Sequence, residues 1–396
     1  MNYILFDDSR KDLLPFTFVR PVANIRIGIL TIKEKWEKYL NTSVSYLTER
    51  YLIKKFPLKV EPQNILINGS ICPDRNLTER IKSLKQNQIL RKDKTIIAIY
   101  TEEGKIDSLH FNNFTNISNF EHIEYNGNYL KINHVWDIFE SNGQAINSDF
   151  EILTKGRKSS PISDTNKIIG TNIFVEEGAK IECAILNSNT GPIYIGKDAE
   201  IMEGSLVRGP FALCDHSTLK LGAKIYGPTT IGPYSKVGGE VNNSVIFGYS
   251  NKAHDGFLGN SVIGEWCNIG ADTNNSNLKN DYSTVKLWNY NQVKFVNTNL
   301  QFCGLMMGDH SKCGINTMFN TGTVVGISCN IYGTGFPRHF IPSFSWGSAI
   351  GGFETYDINK AIKTAENVYL RRELEFTETD REIFNYVYNL TYIYRY

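Results

Sequence analysis

The sequence predicts an α/β domain followed by a parallel β-helix of hexapeptide repeats and a short helical tail. Three observations carry this. From Ile195 to Val237 an aliphatic residue recurs at every sixth position: Ile195, Ile201, Val207, Leu213, Leu219, Ile225, Ile231 and Val237. Four residues after each stands a second position, small in most repeats: Ala199, Ser205, Ser217, Ala223, Thr229 and Ser235, against Phe211 and Val241. Before this array, short apolar runs alternate with helically spaced ones.

The front region, residues 1–155, opens on the strand candidate Tyr3-Ile4-Leu5-Phe6. Ile27 to Leu40 has helical spacing, Ile65 to Gly69 reads as a strand entering a turn, and Thr95 to Tyr100 is a further strand before a Glu-Glu-Gly turn. Trp136 to Asp149 again has helical spacing. Strands alternating with helices predict a mostly parallel sheet. A polar stretch over 156–167 reads as linker.

Residues 168–352 form the repeat region. A period of six fits a short strand and a tight corner, so three units close a triangular coil of about eighteen residues, and coils stack roughly 4.8 Å apart. The aliphatic residue fills the prism, the small one sits near a corner, and stability comes from stacking neighbours. The phase returns at Ile263 and Ile269, then at Met307, Cys313, Phe319, Val325 and Ile331. It fails near 248–260 and 275–302, where loops are expected to project and carry function. The tail, 353–396, has Ala361, Ala365, Val368 and Leu370, then Ile383, Val387 and Leu390. It reads as two helices that cap the solenoid end or pack on a neighbour.

Composition narrows the function classes. Net charge is +1, which offers no bulk attraction for nucleic acid or membrane. No apolar run is long enough to span a bilayer and the N-terminus is no signal peptide. Seven cysteines without a CxxC pair, several in repeat phase, favour a reducing cytoplasm.

The first interruption reads Asn251-Lys252-Ala253-His254-Asp255-Gly256-Phe257-Leu258-Gly259-Asn260 before the repeat resumes at Ile263-Gly264. It resembles the acetyltransferase half of the bifunctional N-acetylglucosamine-1-phosphate uridyltransferase/glucosamine-1-phosphate acetyltransferase family, in a Bacteroidetes-type and archaeal variant. That resemblance implies a left-handed β-helix, acetyl-CoA as co-substrate, a homotrimer with sites between subunits, and His254 as general base. An imidazole titrates near 6.5, so it can take a proton from a sugar amine at neutral pH. The plain alternative is a polar loop histidine without a role. The second interruption implies Asn277 at the acceptor sugar and Lys286 at its phosphate, where the alternative is a solvated lysine. Lys224 and Tyr234, one to two coils earlier, are candidates for the same cleft. Two departures stand out: the family's tyrosine is Phe257 here, and the family's phosphate-binding lysine falls on Asn242. CoA would lie along later coils against the backbone of Gly308, Gly314 and Gly326, with Arg338 as a partner for a CoA phosphate. His216 and His310 sit in repeat phase and read as structural.

The front region resembles sugar-1-phosphate nucleotidyltransferases through Asp7-Asp8-Ser9-Arg10, Leu14-Pro15-Phe16-Thr17-Phe18 and Arg20-Pro21. The resemblance implies a nucleotidyltransferase-like (Rossmann-like) fold binding a nucleoside triphosphate with Mg²⁺, with Arg10, Arg20, Asn68 and Gly69 at the nucleotide. Salt-bridged surface arginines are the alternative for Arg10 and Arg20. The family's glycine-rich loop is missing, its lysine is Val22, and its metal-holding aspartate is not obvious, so the metal ligands stay unknown. Asp7, Asp8, Asp74 and Asp137 are the substitutes available. The leading expectation is a bifunctional transferase that N-acetylates glucosamine-1-phosphate and transfers a nucleotidyl group from UTP to the sugar-1-phosphate. A second is a sugar-1-phosphate nucleotidyltransferase (UTP or dTTP) whose β-helix only assembles a trimer. A third is a binding module with both sites decayed.

Overall fold

The computed structural model describes residues 1–106 and 119–395. The chain forms two compact units: Met1–Leu13, Val19–Ile25 and Leu30–His134 in one; Leu14–Phe18, Arg26–Ile29 and the chain from Val135 onward in the other.

The first unit is built from β1 (Asn2–Phe6), α1 (Ile32–Leu40), β2 (Ser45–Leu47), β3 (Gln63–Asn68), β4 (Ile71–Cys72), α2 (Arg75–Lys82), β5 (Gln88–Lys92), β6 (Thr95–Glu102), α3 (Glu103–Ile106) and β7 (Glu121–Glu124). Its six-stranded sheet has the order β2-β1-β3-β6-β5-β7. The β1–β2, β1–β3 and β5–β7 pairs are parallel, but β6 runs antiparallel to both neighbours. The sheet is therefore mixed rather than mostly parallel. The cause is the tight turn at Asp93-Lys94, with Asp93 at φ +54°, which can join only antiparallel strands. Helix α1 starts at Ile32 rather than Ile27, because Thr31 and Glu34 form a reciprocal capping box.

The second unit is the solenoid. Face I holds nine parallel strands from Ile173–Val175 to Phe340–Ile341; face II runs from Lys180–Ile181 to Ser345–Ser348; face III holds six, from Lys167–Ile169 to Phe257–Gly259. Interior residues stack in register, as in Ile181↔Ile201↔Leu219↔Val237 on face II. The small positions are explained by coil-to-coil bridges: Ser250 Oγ donates to Gly264 O (2.8 Å) and accepts from Cys267 N (2.9 Å), and Ser311 does the same between Gly326 O and Cys329 N (2.7 and 3.0 Å). A larger side chain would push the coils apart.

The corner between faces I and II carries a stack of rings: His216, Tyr234, Tyr249, Trp266 and His310, neighbouring centroids 4.2–6.2 Å apart. All five sit at positive φ. Left-handed backbone costs a non-glycine residue about 1–2 kcal/mol, and stacking at roughly 0.5–1.5 kcal/mol per pair offsets part of that. The tail helices, α6 (Ile358–Leu370) and α7 (Glu378–Leu390), which follow α4 (Asp137–Glu140) and α5 (Asn142–Thr154) in the chain, lie on this corner rather than on the solenoid end. Tyr369 stacks on Trp266 at 4.1 Å, Phe384 meets His310 edge-on at 4.9 Å, and Arg372 donates to Tyr234 O at 3.0 Å.

Face I is covered by the short segments from the front of the chain. Phe16 packs on Phe247 at 5.3 Å, buried Arg26 donates to Phe247 O at 3.0 Å, and Thr230 Oγ1 donates to Gly28 O at 2.9 Å. Asn142 and Asp149 at α5 accept from Gly28 N and Ile29 N (2.7 and 2.8 Å). Among the described residues, no helix is long and apolar enough to cross a membrane. None of the seven cysteines is in a disulfide, and six are buried.

Candidate active site

His254 stands on the corner between faces II and III, with both it and Asp255 exposed. The turn rests on the preceding coil: a Cβ added at Gly239 would lie 2.9 Å from Asp255 Cα and from His254 O. On its other side Gly256, at φ +110°, packs so closely that a Cβ would stand 2.1 Å from Thr273 O. Glycine is required there on both counts.

The strand after the turn, Phe257–Gly259, is the last of the face III sheet. Where the next strand should pair, side chains substitute for backbone. Phe257 N donates to Asn274 Oδ1 (2.7 Å), and Gly259 N to Asn275 Oδ1 (2.9 Å). Beyond them Asn277 Nδ2 donates to Asn260 Oδ1 at 2.8 Å. A Cβ on Gly259 would lie 2.5 Å from Phe257 Cζ and 2.7 Å from Asn277 Nδ2, so ring and amide meet over this glycine. Register sets Asn242 beside Gly259, and Lys224, Glu240 and Phe257 on one ladder. The fold thus brings Phe257, Asn277 and Asn242 together next to the His254 turn, with Lys224 two rungs away. Glu240 accepts from Tyr226 OH at 2.5 Å; burial, then this carboxylate, pushes the phenol up to about 12.

Two cavities open along this side. One, of about 540 Å³, is lined on face III by Leu206, Arg208, Lys224, Tyr226 and Glu240 among others. A second, of about 410 Å³, is lined by Asn242, Asn243, Asn260, Glu140 and Phe302 among others. His254 lines neither.

Other expected residues fall elsewhere. Tyr234 is a correction: its ring belongs to the stack on the opposite edge of face II, not to this cleft. Lys286 is exposed at the root of the hairpin Lys286–Asn289/Lys294–Asn297, its carbonyl against Gly322 one coil further on. Gly308 and Gly326 are also corrections, because both are buried rather than open to a ligand. A Cβ on Gly308 would meet Pro15 at 3.0 Å, and one on Gly326 would meet Ser343 at 2.3 Å. Arg338 is exposed in the connection just before Phe340–Ile341, the last strand of face I, rather than past the last coil.

Sequence reading passed over Lys252, which is 2% exposed. It pairs with Val237 on the interior ladder of face II, where the neighbouring coils place aliphatic or thiol side chains. Its Nζ donates to Gly238 O, His254 O and Asp255 O at 3.1, 2.7 and 3.2 Å. Burial pulls the amine down from 10.5 to about 8, against the opposing pull of Asp255, Asp272 and Cys313. The signal in the sequence was a lysine just where the six-residue phase fails.

In the first unit, Arg10 is buried and committed internally. It donates to Asp7 Oδ2 (2.7 Å), Arg20 O (2.9 Å) and Tyr51 OH (3.0 Å). Burial by itself would lower its pKa; Asp7, Tyr51 and Glu49 together hold it raised. Arg20 is buried as well. Asn68 spends its amide on Asp8 Oδ2 (2.8 Å), Ile96 O and Ser70, and Gly69 N donates to Phe6 O (2.8 Å). The more accessible groups at these strand ends are ones the sequence did not single out as nucleotide ligands: Asp8, Ser9 and Lys131, with Lys131 Nζ 3.1 Å from Asp8 Oδ2 and from Ser9 Oγ. They lie at the carboxyl ends of β1 and β3, where open α/β sheets bind ligands. These residues do not make a metal site as they stand. Both Asp8 oxygens are engaged, Asp7 is spent on Arg10, Thr48 and Val22 N, and no group of three His, Cys, Asp or Glu among the described residues is arranged for a cation.

Residues 3–158 match the sugar nucleotidyl transferase family. A protein of Methanocaldococcus jannaschii named bifunctional protein GlmU is 25% identical over 336 residues, 82% of this chain and 68% of its own length. One of the same name from Methanococcus maripaludis strain C7 is 30% identical over 328 residues, 82% of this chain and 67% of its own. A bifunctional sugar-1-phosphate nucleotidylyltransferase/acetyltransferase of Sulfurisphaera tokodaii is 30% identical over 213 residues, 53% of this chain but only 46% of its own. The solenoid is a parallel β-helix. With an α/β front unit, this β-helix and relatives aligned across both, the chain is a transferase and belongs to the GlmU family of bifunctional nucleotidyltransferase/acetyltransferases.

Proposed function

We propose that the β-helix N-acetylates glucosamine-1-phosphate from acetyl-CoA, and that the front unit transfers a nucleotidyl group from UTP to the sugar-1-phosphate. The observation that carries the first half is the exposed His254 on its glycine-flanked turn, with Phe257, Asn277 and Asn242 gathered beside it. His254 takes a proton from the sugar nitrogen as that nitrogen attacks the thioester carbonyl; the C–S bond breaks, and the imidazolium returns the proton to the departing sulfur so that CoA leaves as the thiol. Asn277 and Asn242 offer amides to the sugar hydroxyls, Phe257 offers a ring face, and Lys224 and the exposed Lys286 are the cations within the reading for a phosphate. Mg²⁺ would enter with the nucleotide, whose phosphates supply ligands that the described residues do not gather by themselves. Assembly as a homotrimer fits the outer surface of face III, where Ile185 and Leu206 are 41% and 46% exposed beside the acceptor residues. A reducing cytoplasm fits seven cysteines of which none forms a disulfide.

The test is thiol release from acetyl-CoA with glucosamine-1-phosphate, run beside pyrophosphate release from UTP. Substituting His254→Ala should lower acetyl transfer about 10²–10⁴-fold and leave pyrophosphate release and assembly mass unchanged. Wild-type thiol release in the Ala variant would overturn the assignment.

A further inference from the structure

We propose that Lys252 is a positioning residue for acetyl transfer: from inside the solenoid its ammonium ties down the turn that presents His254. The inference rests on the reading of His254 as the base. Lys236↔Asn251 and Val237↔Lys252 fix the register, and Asn251↔Asn268 carries it on to Ile269, so the lysine stem runs between aliphatic layers. An aliphatic side chain would fill this place without burying a charge, as Leu219 and Val237 do on the same ladder. What an ammonium adds is three donors, and all three are used.

The three acceptors locate the purpose. Gly238 O belongs to the coil beneath the turn, and His254 O and Asp255 O belong to the turn itself. Asp255 O also accepts from Asp272 N of the following coil at 3.0 Å, and Gly256 O from Glu240 N of the preceding one at 3.3 Å. Lys252 is thus the hub of a bracket that fixes the backbone from the His254 carbonyl through Gly256. An error of about 1 Å in the placement of a reacting group can cost on the order of 10² in rate. The carboxylates near the amine, Asp255 and Asp272, are exposed, and the thiol of Cys313 lies two coils further along the same ladder. Loss of the ammonium proton in alkali removes one of three donors and slackens the bracket.

The experiment compares the full chain with Lys252→Met and Lys252→Arg in two readouts. In hydrogen exchange, the Met variant should exchange the amides of residues 253–257 at least tenfold faster than wild type, with the other coils unchanged. In acetylation, its kcat should fall about 10–100-fold with KM within twofold, and the wild-type decline as pH rises through about 8 should vanish. The Arg variant should recover most of kcat and of the protection. Unchanged exchange in the Met variant, faster exchange with unchanged kcat, or equal losses in the Met and Arg variants would each overturn the proposal. If wild type itself does not acetylate, the function reading fails while exchange still decides the tether.

Discussion

The buried ammonium of Lys252 makes a prediction about stability that can be worked through. In the unfolded chain the amine keeps its proton up to about 10.5; in the folded chain burial makes it give the proton up near 8. Between those values the unfolded state binds more protons, so stability rises with pH across that window and is lowest below pH 8. At 1.36 kcal/mol per tenfold the full difference is about 3 kcal/mol, of which roughly 2.5 is present by pH 10. The lysine is 2% exposed, so solvent screening takes little from this. Absolute comparison with Lys252→Met is ambiguous, because the variant sheds a buried charge but leaves carbonyls without a donor. The pH dependence of the difference is not. Urea unfolding of both proteins at pH 7, 8, 9 and 10 yields wild type minus variant at each pH. Other groups cancel in that difference, including Lys312, which burial also pulls to about 8, and the Cys267, Cys303 and Cys329 thiols, which burial pushes up and which therefore destabilise the fold above about pH 9. The difference should climb by about 2 kcal/mol or more from pH 7 to pH 10. A flat difference would show that the amine is not desolvated and refute the reasoning. In alkali, then, the fold should gain from Lys252 while acetylation loses.

Two other substitutions probe the same region. Gly256→Ala places a Cβ against Thr273 O at a φ that L-residues avoid, and should cost about 1–3 kcal/mol in denaturant unfolding and at least tenfold in acetylation; wild-type values of both would mean the turn is not held as described. Trp266→Ala removes the ring between Tyr249 and Tyr369 and should cost about 3–5 kcal/mol, read as faster tryptic cleavage at Arg371 and Arg372; an unchanged cleavage rate would mean that the tail is not anchored by the ring stack.

The solenoid was legible because the interior of a prism recurs at a fixed interval, and nothing but an aliphatic residue fits Ile201, Leu219 or Val237 without cost. Legibility failed where the geometry depends on contacts distant in sequence. Lys252 follows Val237 by fifteen residues rather than eighteen, so the six-residue frame does not point at it. Tyr234 looked like cleft lining because a pattern of hydrophobicity says nothing about which corner takes left-handed backbone. Gly308 looked like open backbone for CoA, but Pro15 covers it from nearly three hundred residues away. Arg10 matched a signature position, yet Asp7 three residues before it claims the guanidinium. The mixed sheet of the front unit was missed because Gln88–Lys92 was not recognised as a strand. His254, Phe257 and Asn277 were found because their spacing relative to the resumed repeat survives, and the fold places the latter two around one glycine.

A regular solenoid gives every coil the same corner, and identical corners cannot make one reactive position. The candidate site stands where regularity fails in three ways at once. A coil runs short after Val237, an ammonium replaces an aliphatic side chain in the prism, and the ladder beyond Phe257–Gly259 is closed by Asn274 and Asn275 side chains rather than by backbone. Each departure is costly in an isolated coil: a buried charge must be satisfied, and an amide side chain must be ordered to replace a strand. The coils before it are regular, with Leu219 and Val237 stacked, and regularity resumes at Cys313 and Ile331 beyond the coil that carries the Lys286–Asn297 hairpin. Stacking stability is shared between nearest neighbours, so the flanking coils hold the irregular one in place. The repeat therefore marks its own candidate site by where it breaks, and the residue filling the broken interior position is as informative as the one exposed at the corner.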